Sequence, residues 1–336
     1  MKRIICIIVS VLVLSSCDTS AVPESRGSTA AWRVMFEYSD GLVIPPVPAG
    51  QVIEVKGFEA DFSKLEELTD LVFGSGAYRG KGYDQTCTEQ NDIYASWYTY
   101  DGEHDITLNK NGTFYYTNGD IYDGIADDES ITAGETVYAD SFDTTELDTP
   151  SGTYYLSELS QAAGAQIYDM LELIGSDIGI TPVSARILTL GDSGKKGADF
   201  TFAADTGFGR LRSVRTDGDD ETAPCPVFEA TVLDIDKIPS VTCSGGGLYR
   251  DLTACGDADI LSCEDALKSA SGELYSSASH ITLKHISLEY TPREKNGDTY
   301  RFYPYWAAYA ATDKGEDILI CIDAATGQTL VQNINT

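Results

Sequence analysis

The sequence predicts an α+β protein built from repeated helix-plus-antiparallel-sheet units. Three observations carry this. Amphipathic helical segments recur at intervals of about one hundred residues. Each is followed by short runs rich in Tyr, Thr and Val with apolar and polar residues in alternation. Gly- and Asn-containing turn signals separate those runs. Helices laid on one face of antiparallel sheets define the class.

The chain opens Met1-Lys2-Arg3, and residues 4–14 are almost wholly apolar. A basic start, a short apolar stretch and small residues after it make a secretory signal. The run is too short to cross a bilayer, which takes about 20 apolar residues. It ends Leu14-Ser15-Ser16-Cys17 and then turns polar at once. That quartet resembles the lipobox of bacterial lipoproteins, which implies cleavage before Cys17 and acylation of its thiol. The alternative is an ordinary cleaved signal with an incidental cysteine. Residues 1–16 are therefore expected to be a signal peptide, and residues 17–31, small and polar, a lipidated flexible stalk.

Residues 32–150 form the first expected domain. "GQVIEVKGF" alternates as a strand does. "DFSKLEELTDLVFGSG" reads as a helix, with Ser63 and Glu66 as a capping box, Leu65, Leu68, Leu71 and Val72 as its apolar stripe and Gly74 as its stop. "HDITLNKNGTFYYT" carries Asn111-Gly112 between two strand-like runs, a strong hairpin signal. The second domain, 151–258, opens with "LSELSQAAGAQIYDMLELIG". Leu159, Ala163, Ile167, Met170, Leu171 and Ile174 share one face of that helix, and Gly175 ends it. Strand-like "VSARILTL", "ADFTFAAD" and "VFEATVLDI" follow. The third domain, 259–336, has a helix capped by Ser262 and Asp265. Its strands are "ITLKHISLEYTP", "YRFYPYWAAYAA" and "DILICIDAATGQTL".

This last segment resembles PepSY-like domains. Ser262, Glu264, Asp265, Ala266 and Leu267 match the start of their helix. Pro304 and Trp306 match a Pro-x-Trp strand, and Asp323, Thr326 and Gly327 match an Asp-x-x-Thr-Gly ending. Cys263 departs from the usual aliphatic residue. "EVKGFEADFSKLEELTDLVFGSGAYR" resembles uncharacterised lipoproteins of Gram-positive anaerobes. The resemblance implies an extracytoplasmic, non-catalytic module that restrains a peptidase or regulates an envelope protein. It supplies no catalytic residues.

Composition narrows the partners. The chain of 336 residues carries 53 acids against 23 bases, a formal charge of -30. Loss of the signal would remove Lys2 and Arg3 and no acid. Such a surface repels phosphate backbones, so nucleic acid is excluded as a partner. Beyond Cys6 and Cys17, six cysteines remain: Cys87, Cys225, Cys243, Cys255, Cys263 and Cys321. In an exported chain they allow disulfides, and the loop-like settings of Cys225, Cys243 and Cys255 favour a bridge there. With no Cys-x-x-Cys pair and only three histidines, no zinc site is expected.

Other patterns suggest chemistry without completing it. Gly191-Asp192-Ser193-Gly194 resembles the nucleophile loop of chymotrypsin-like proteases, but Lys195-Lys196 follow where Gly-Pro belongs, and His104 in "GEHDI" lacks the expected setting. A hairpin turn accounts for it. The acidic loops 124–130 and 216–222 lack EF-hand spacing and read as solvated. Tyr94, Trp97, Tyr98 and Tyr100 offer flat faces for sugars, or simply pack in a sheet. The expected protein is a lipid-anchored, extracytoplasmic, non-catalytic binding or regulatory module. It needs no cofactor or metal, is held to the membrane through acyl chains on Cys17, and has an envelope protein as its candidate partner. A surface glycan- or polymer-binding lipoprotein is the alternative, and an acidic-site hydrolase is a third class.

Cys17→Ala should abolish incorporation of a fatty-acid analogue and release the protein from membranes, since two acyl chains hold where one does not. Equal label in both forms would disprove lipidation at Cys17.

Overall fold

The structure is a computed structural model that describes residues 35–39, 42, 44–45, 50–123, 131–212, 214, 223–274 and 280–333. The signal peptide, the stalk, Cys17 and the acidic loops 124–130 and 216–222 lie outside the described residues.

In chain order the elements begin with β1 (Met35–Tyr38), β2 (Gln51–Gly57), α1 (Leu65–Phe73), β3 (Thr86–Gln90), β4 (Tyr94–Thr99), β5 (His104–Asn109), β6 (Phe114–Asn118) and the short α2 (Gly119–Asp123). Next come β7 (Ile131–Tyr138), β8 (Glu146–Asp148), β9 (Thr153–Tyr155), α3 (Leu156–Ile174), β10 (Gly179–Leu190), β11 (Lys195–Asp205), β12 (Arg210–Leu211), β13 (Val227–Val232), β14 (Ser240–Ser244) and β15 (Tyr249–Asp257). The chain closes with α4 (Cys263–Glu273), β16 (His280–Asn296), β17 (Thr299–Thr312), β18 (Asp317–Asp323) and β19 (Thr329–Asn333).

The described residues are mostly β, 51% strand and 20% helix, which overturns the expected α+β class of repeated helix-plus-antiparallel-sheet units. The expected helices form, but apart from the β8–β9 pair the strands between them do not close into separate sheets. Strand β6 pairs with β14, and β7 with β10. Strand β2 pairs with both β15 and β17. Two pairings, β1 with β16 and β12 with β16, are parallel. Alternation identifies a strand but not its partner, and here the partners are distant in sequence. The described residues divide into two compact units, one within 49–258 and 289–304, the other within 1–48, 259–288 and 305–336.

In the larger unit, nine strands run in the order β3-β4-β5-β6-β14-β13-β11-β10-β7, each antiparallel to its neighbours. A register row crosses all nine through Thr88, Trp97, Ile106, Tyr116, Val241, Ala230, Phe200, Ala185 and Val137. Trp97, Ile106, Val241 and Phe200 in it are fully buried. Burial of each such side chain contributes about 1.5–3 kcal/mol. The neighbouring row points the other way and is polar: Glu89, Ser96, Thr107, Tyr115, Thr242, Glu229, Thr201, Ser184 and Tyr138. Helix α1 lies against β4, β5 and β6, and α3 against β10 and β13. Helix α3 buries the predicted face from Leu159 to Ile174, and Gly175, at φ +81, ends it. Helix α1 differs in detail. Asp61, not Ser63, caps the turn before it by accepting from the Ser63 amide at 2.9 Å, and Leu71 stays 37% exposed.

In the smaller unit, α4 starts at Ser262, whose hydroxyl oxygen accepts from the Asp265 amide at 3.1 Å. Cys263, Ala266, Leu267, Ala270 and Leu274 share a core with Trp306, Ile318, Ile320 and Ile322. Strand β18 pairs with β17 on one side and β19 on the other. Its Leu319 and Cys321 point opposite to the isoleucines and are also buried. The Asp323-x-x-Thr326-Gly327 sequence is a turn. Asp323 accepts from the Ala325 and Thr326 amides at 2.9 and 2.7 Å. Gly327 takes φ +75, and a Cβ there would meet Ser269 Oγ at 2.8 Å. The Trp306 indole donates to the Leu261 carbonyl at 3.0 Å. Among the described residues no helix is long and apolar enough to cross a membrane.

Leu267→Ala should destabilise the protein by about 2–5 kcal/mol in chemical denaturation, because the side chain is 3% exposed in a packed core. An unchanged midpoint would contradict that burial.

Candidate functional site

The polar side of the nine-stranded sheet is the broadest candidate surface. Its chemistry follows from alternation, which turns every second residue to this side, although Ser96 and Thr107 within it are themselves buried. At the β3–β6 end those residues are aromatic and acidic. Tyr98 donates to Glu89 Oε1 at 2.9 Å and Tyr94 to Glu89 Oε2 at 3.4 Å. Hydrogen bonding to Cys87 and then to Glu89 holds the Tyr98 phenol well above its usual range. Tyr100 is 66% exposed and Tyr115 38%. Asp105, between Tyr98 and Thr117 in the register, is half-buried, and desolvation raises its carboxyl. Towards β10 the surface turns to hydroxyls and charge: Thr231 donates to Asp199 at 2.8 Å and Arg186 to the same carboxylate at 3.2 Å. Flat rings, hydroxyls and carboxylates together can stack on and hydrogen-bond a broad ligand.

The structure separates the aromatic residues grouped in the sequence. Trp97 points inward and is fully buried, with its ring 5.0 Å from Phe73. Tyr94 and Tyr98 point outward, and Tyr100 follows them beyond the strand end. Ser193 lies in the turn that joins β10 to β11, where its hydroxyl donates to the Leu190 carbonyl at 2.7 Å and accepts from the Lys195 amide at 3.2 Å. That is the chemistry of a hairpin turn. None of the six body cysteines forms a disulfide, so the bridge expected among Cys225, Cys243 and Cys255 is not formed. Burial raises Cys263 to about 11 and Cys243 higher still.

Two further places were not legible in the sequence. An open recess of about 320 Å³ is lined by Asp177, Asp205, Tyr249, Arg250 and Asp251. Its carboxylates are partly engaged already: Asp205 accepts from Thr181 at 2.9 Å, and Asp251 pairs with Lys56 at 3.0 Å. Asp251 takes φ +56, an uncommon conformation for a side-chain-bearing residue. The second place is the β4–β5 turn, where donor atoms of Asp101, Glu103 and His104 lie within 4.8 Å of one another, close enough to hold a metal ion together. The Asp-Gly-Glu-His string was the available signal, but it matches no standard ligand spacing.

No protein-family model matches the chain. No curated protein matches it either. Among solved structures it is similar to the crystal structure of an uncharacterized protein from Eubacterium rectale, with 15% identity, 88% of this chain and 89% of that chain covered, and a TM-score of 0.53. At that identity the likeness is one of fold alone. It agrees at a coarse level with the resemblance to uncharacterised proteins of Gram-positive anaerobes, and carries neither lipidation nor a PepSY assignment.

Iodoacetamide applied to the native protein should modify exposed Cys255 first and half-buried Cys87 more slowly. Cys225, Cys243, Cys263 and Cys321 should react only after unfolding, because the thiolate is the reactive form and burial suppresses it. Peptide mapping reads the order; rapid native labelling of Cys243 would contradict it.

Proposed function

We propose that this protein is a membrane-anchored extracytoplasmic lipoprotein that acts as a non-catalytic binding or regulatory module for an envelope protein or peptidase. The Leu14-Ser15-Ser16-Cys17 quartet behind a short apolar run supports the anchor. The observation that carries the binding role is the outward side of the nine-stranded sheet. It presents rows of Thr, Ser, Tyr and carboxylate side chains across many strands instead of an apolar pocket. A broad polar surface suits a macromolecule, whereas small ligands favour enclosed, mostly apolar cavities. Its acidity suits a partner with a basic face, since complementary charge speeds and orients encounter.

A second reading, a surface glycan or polymer as ligand, is favoured by Tyr100 and Tyr115, the exposed rings at one end of this surface. A photo-crosslinking residue placed at Glu229 and at Tyr115 in the native envelope tests both. One crosslinked envelope protein, lost at least tenfold when Thr231→Lys and Thr242→Lys are added, is the expected result. Retention on purified wall polysaccharide that falls at least tenfold with Tyr100→Ala and Tyr115→Ala would favour the glycan. If neither result is obtained, the sheet surface is not the binding site.

A further inference from the structure

We propose that Asp101, Glu103 and His104 form a binding site for a divalent transition-metal ion of the Zn²⁺ type. One ligand atom from each of the first three residues lies within 4.8 Å of the others. Asp101 and Glu103 are exposed, while His104 is only 3% exposed. Asp120 Oδ2 reaches to 3.3 Å from His104 Nε2.

Acidic residues at a turn are common without an ion. The second observation lies beneath them. Both ring nitrogens of His104 are buried without a hydrogen-bond partner, although Asp120 stands close to one of them. The contact to Asp120 has the distance of an ion pair but not the geometry of a hydrogen bond. Asn118 sits directly opposite His104 in the β5–β6 register, is 9% exposed, and its Oδ1 is also buried without a partner. Buried polar atoms are nearly always satisfied, so three such atoms together mark a place where the polar network can take up a ligand.

The surroundings fix the imidazole. Its ring centroid is 5.7 Å from that of Phe73 and 5.1 Å from that of Tyr83. The aromatic walls leave the turn carboxylates as the polar side. Asp101 is itself held in place, accepting from Thr99 Oγ1 at 2.5 Å and from the Glu103 amide at 3.1 Å. Those bonds to Thr99 and Glu103 keep its carboxyl below the usual range. One oxygen of Asp101 is thus occupied and the other remains for a cation. An imidazole with carboxylates is a nitrogen–oxygen donor set. It suits Zn²⁺ or a similar first-row ion, whereas Ca²⁺ takes six to eight oxygens and Mg²⁺ is bound mainly through oxygens and water.

The test uses the full-length chain, stripped with chelator and titrated with Zn²⁺, Mn²⁺ and Ca²⁺ in a calorimeter. One equivalent of Zn²⁺ should bind, at least tenfold more tightly than Ca²⁺. Labelled imidazole nitrogens should shift at His104 and not at His280 or His285. Glu103→Gln, at an exposed carboxylate where folding is safe, should weaken binding at least tenfold. His104→Gln should abolish it. The absence of Zn²⁺ binding would overturn the proposal. So would Zn²⁺ binding unchanged by Glu103→Gln, or nitrogen shifts confined to His280 and His285. Binding here does not depend on the partner reading above, so its failure would leave that reading intact.

Discussion

Trp97, Ile106, Tyr116, Val241, Ala230 and Phe200 lie on one register row and are buried on the side where α1 and α3 pack. The rest of the larger unit depends on that burial. Side chains alternate with a period of two, so sliding any strand by one residue would turn its apolar set outward. In β5 a slip would exchange Ile106 and Leu108 for Asp105 and Thr107. The core would receive a carboxylate whose desolvation costs far more than one lost hydrogen bond. Apolar packing therefore fixes the register, and the register fixes which polar groups meet on the other side.

Both candidate sites follow from this single constraint. The tyrosines and hydroxyls of the outward rows are where they are because Trp97, Tyr116 and Phe200 are inward. His104 is the first residue of β5 and shares the inward parity of Ile106 and Leu108. Its imidazole is consequently drawn into the aromatic core, beside Phe73 and Tyr83, while the turn before it stays in water. A histidine one residue earlier would lie on the turn, and one residue later on the outward face. Its place at the margin of the core brings a buried nitrogen near solvent-facing carboxylates.

The sequence made the helices legible because each carries a complete local signal. Helix α3 has its apolar stripe and Gly175, and α4 has Ser262 and the stripe through Ala266, Leu267 and Ala270. The Asn111-Gly112 turn is equally local, with Gly112 at φ +83 between β5 and β6. The class was not legible because strand partners are not local. Nothing in "IEVKGF"-type alternation states that β2 pairs with residues near 250 and 300, or that β7 meets β10 across α3. The residues that prompted the PepSY-like resemblance have local duties here: a helix cap at Ser262, an indole hydrogen bond from Trp306 and a tight turn at Asp323 to Gly327. The His104 site was illegible for the complementary reason. Its signal is the burial of two nitrogens and the opposed Asn118, and burial comes from the register.

The edges of the nine-stranded sheet bear on how it would meet the proposed partner. Among the described residues β3 pairs with β4 alone and β7 with β10 alone. Unpaired strand edges invite pairing with another chain, and charge or interruption on the edge suppresses it. Strand β3 ends in exposed Glu89 and Gln90, and β7 carries Gly134 and Glu135, also exposed. Gly134 weakens β7 as a template because it has no side chain to pack. The excess of acids over bases adds repulsion between copies of the chain. Strand addition at either edge is therefore disfavoured, while the Thr-, Tyr- and carboxylate-bearing side has no comparable barrier. Recognition through the face of the sheet, by side-chain contacts in place of backbone hydrogen bonds, is the mode that this distribution of charge leaves open.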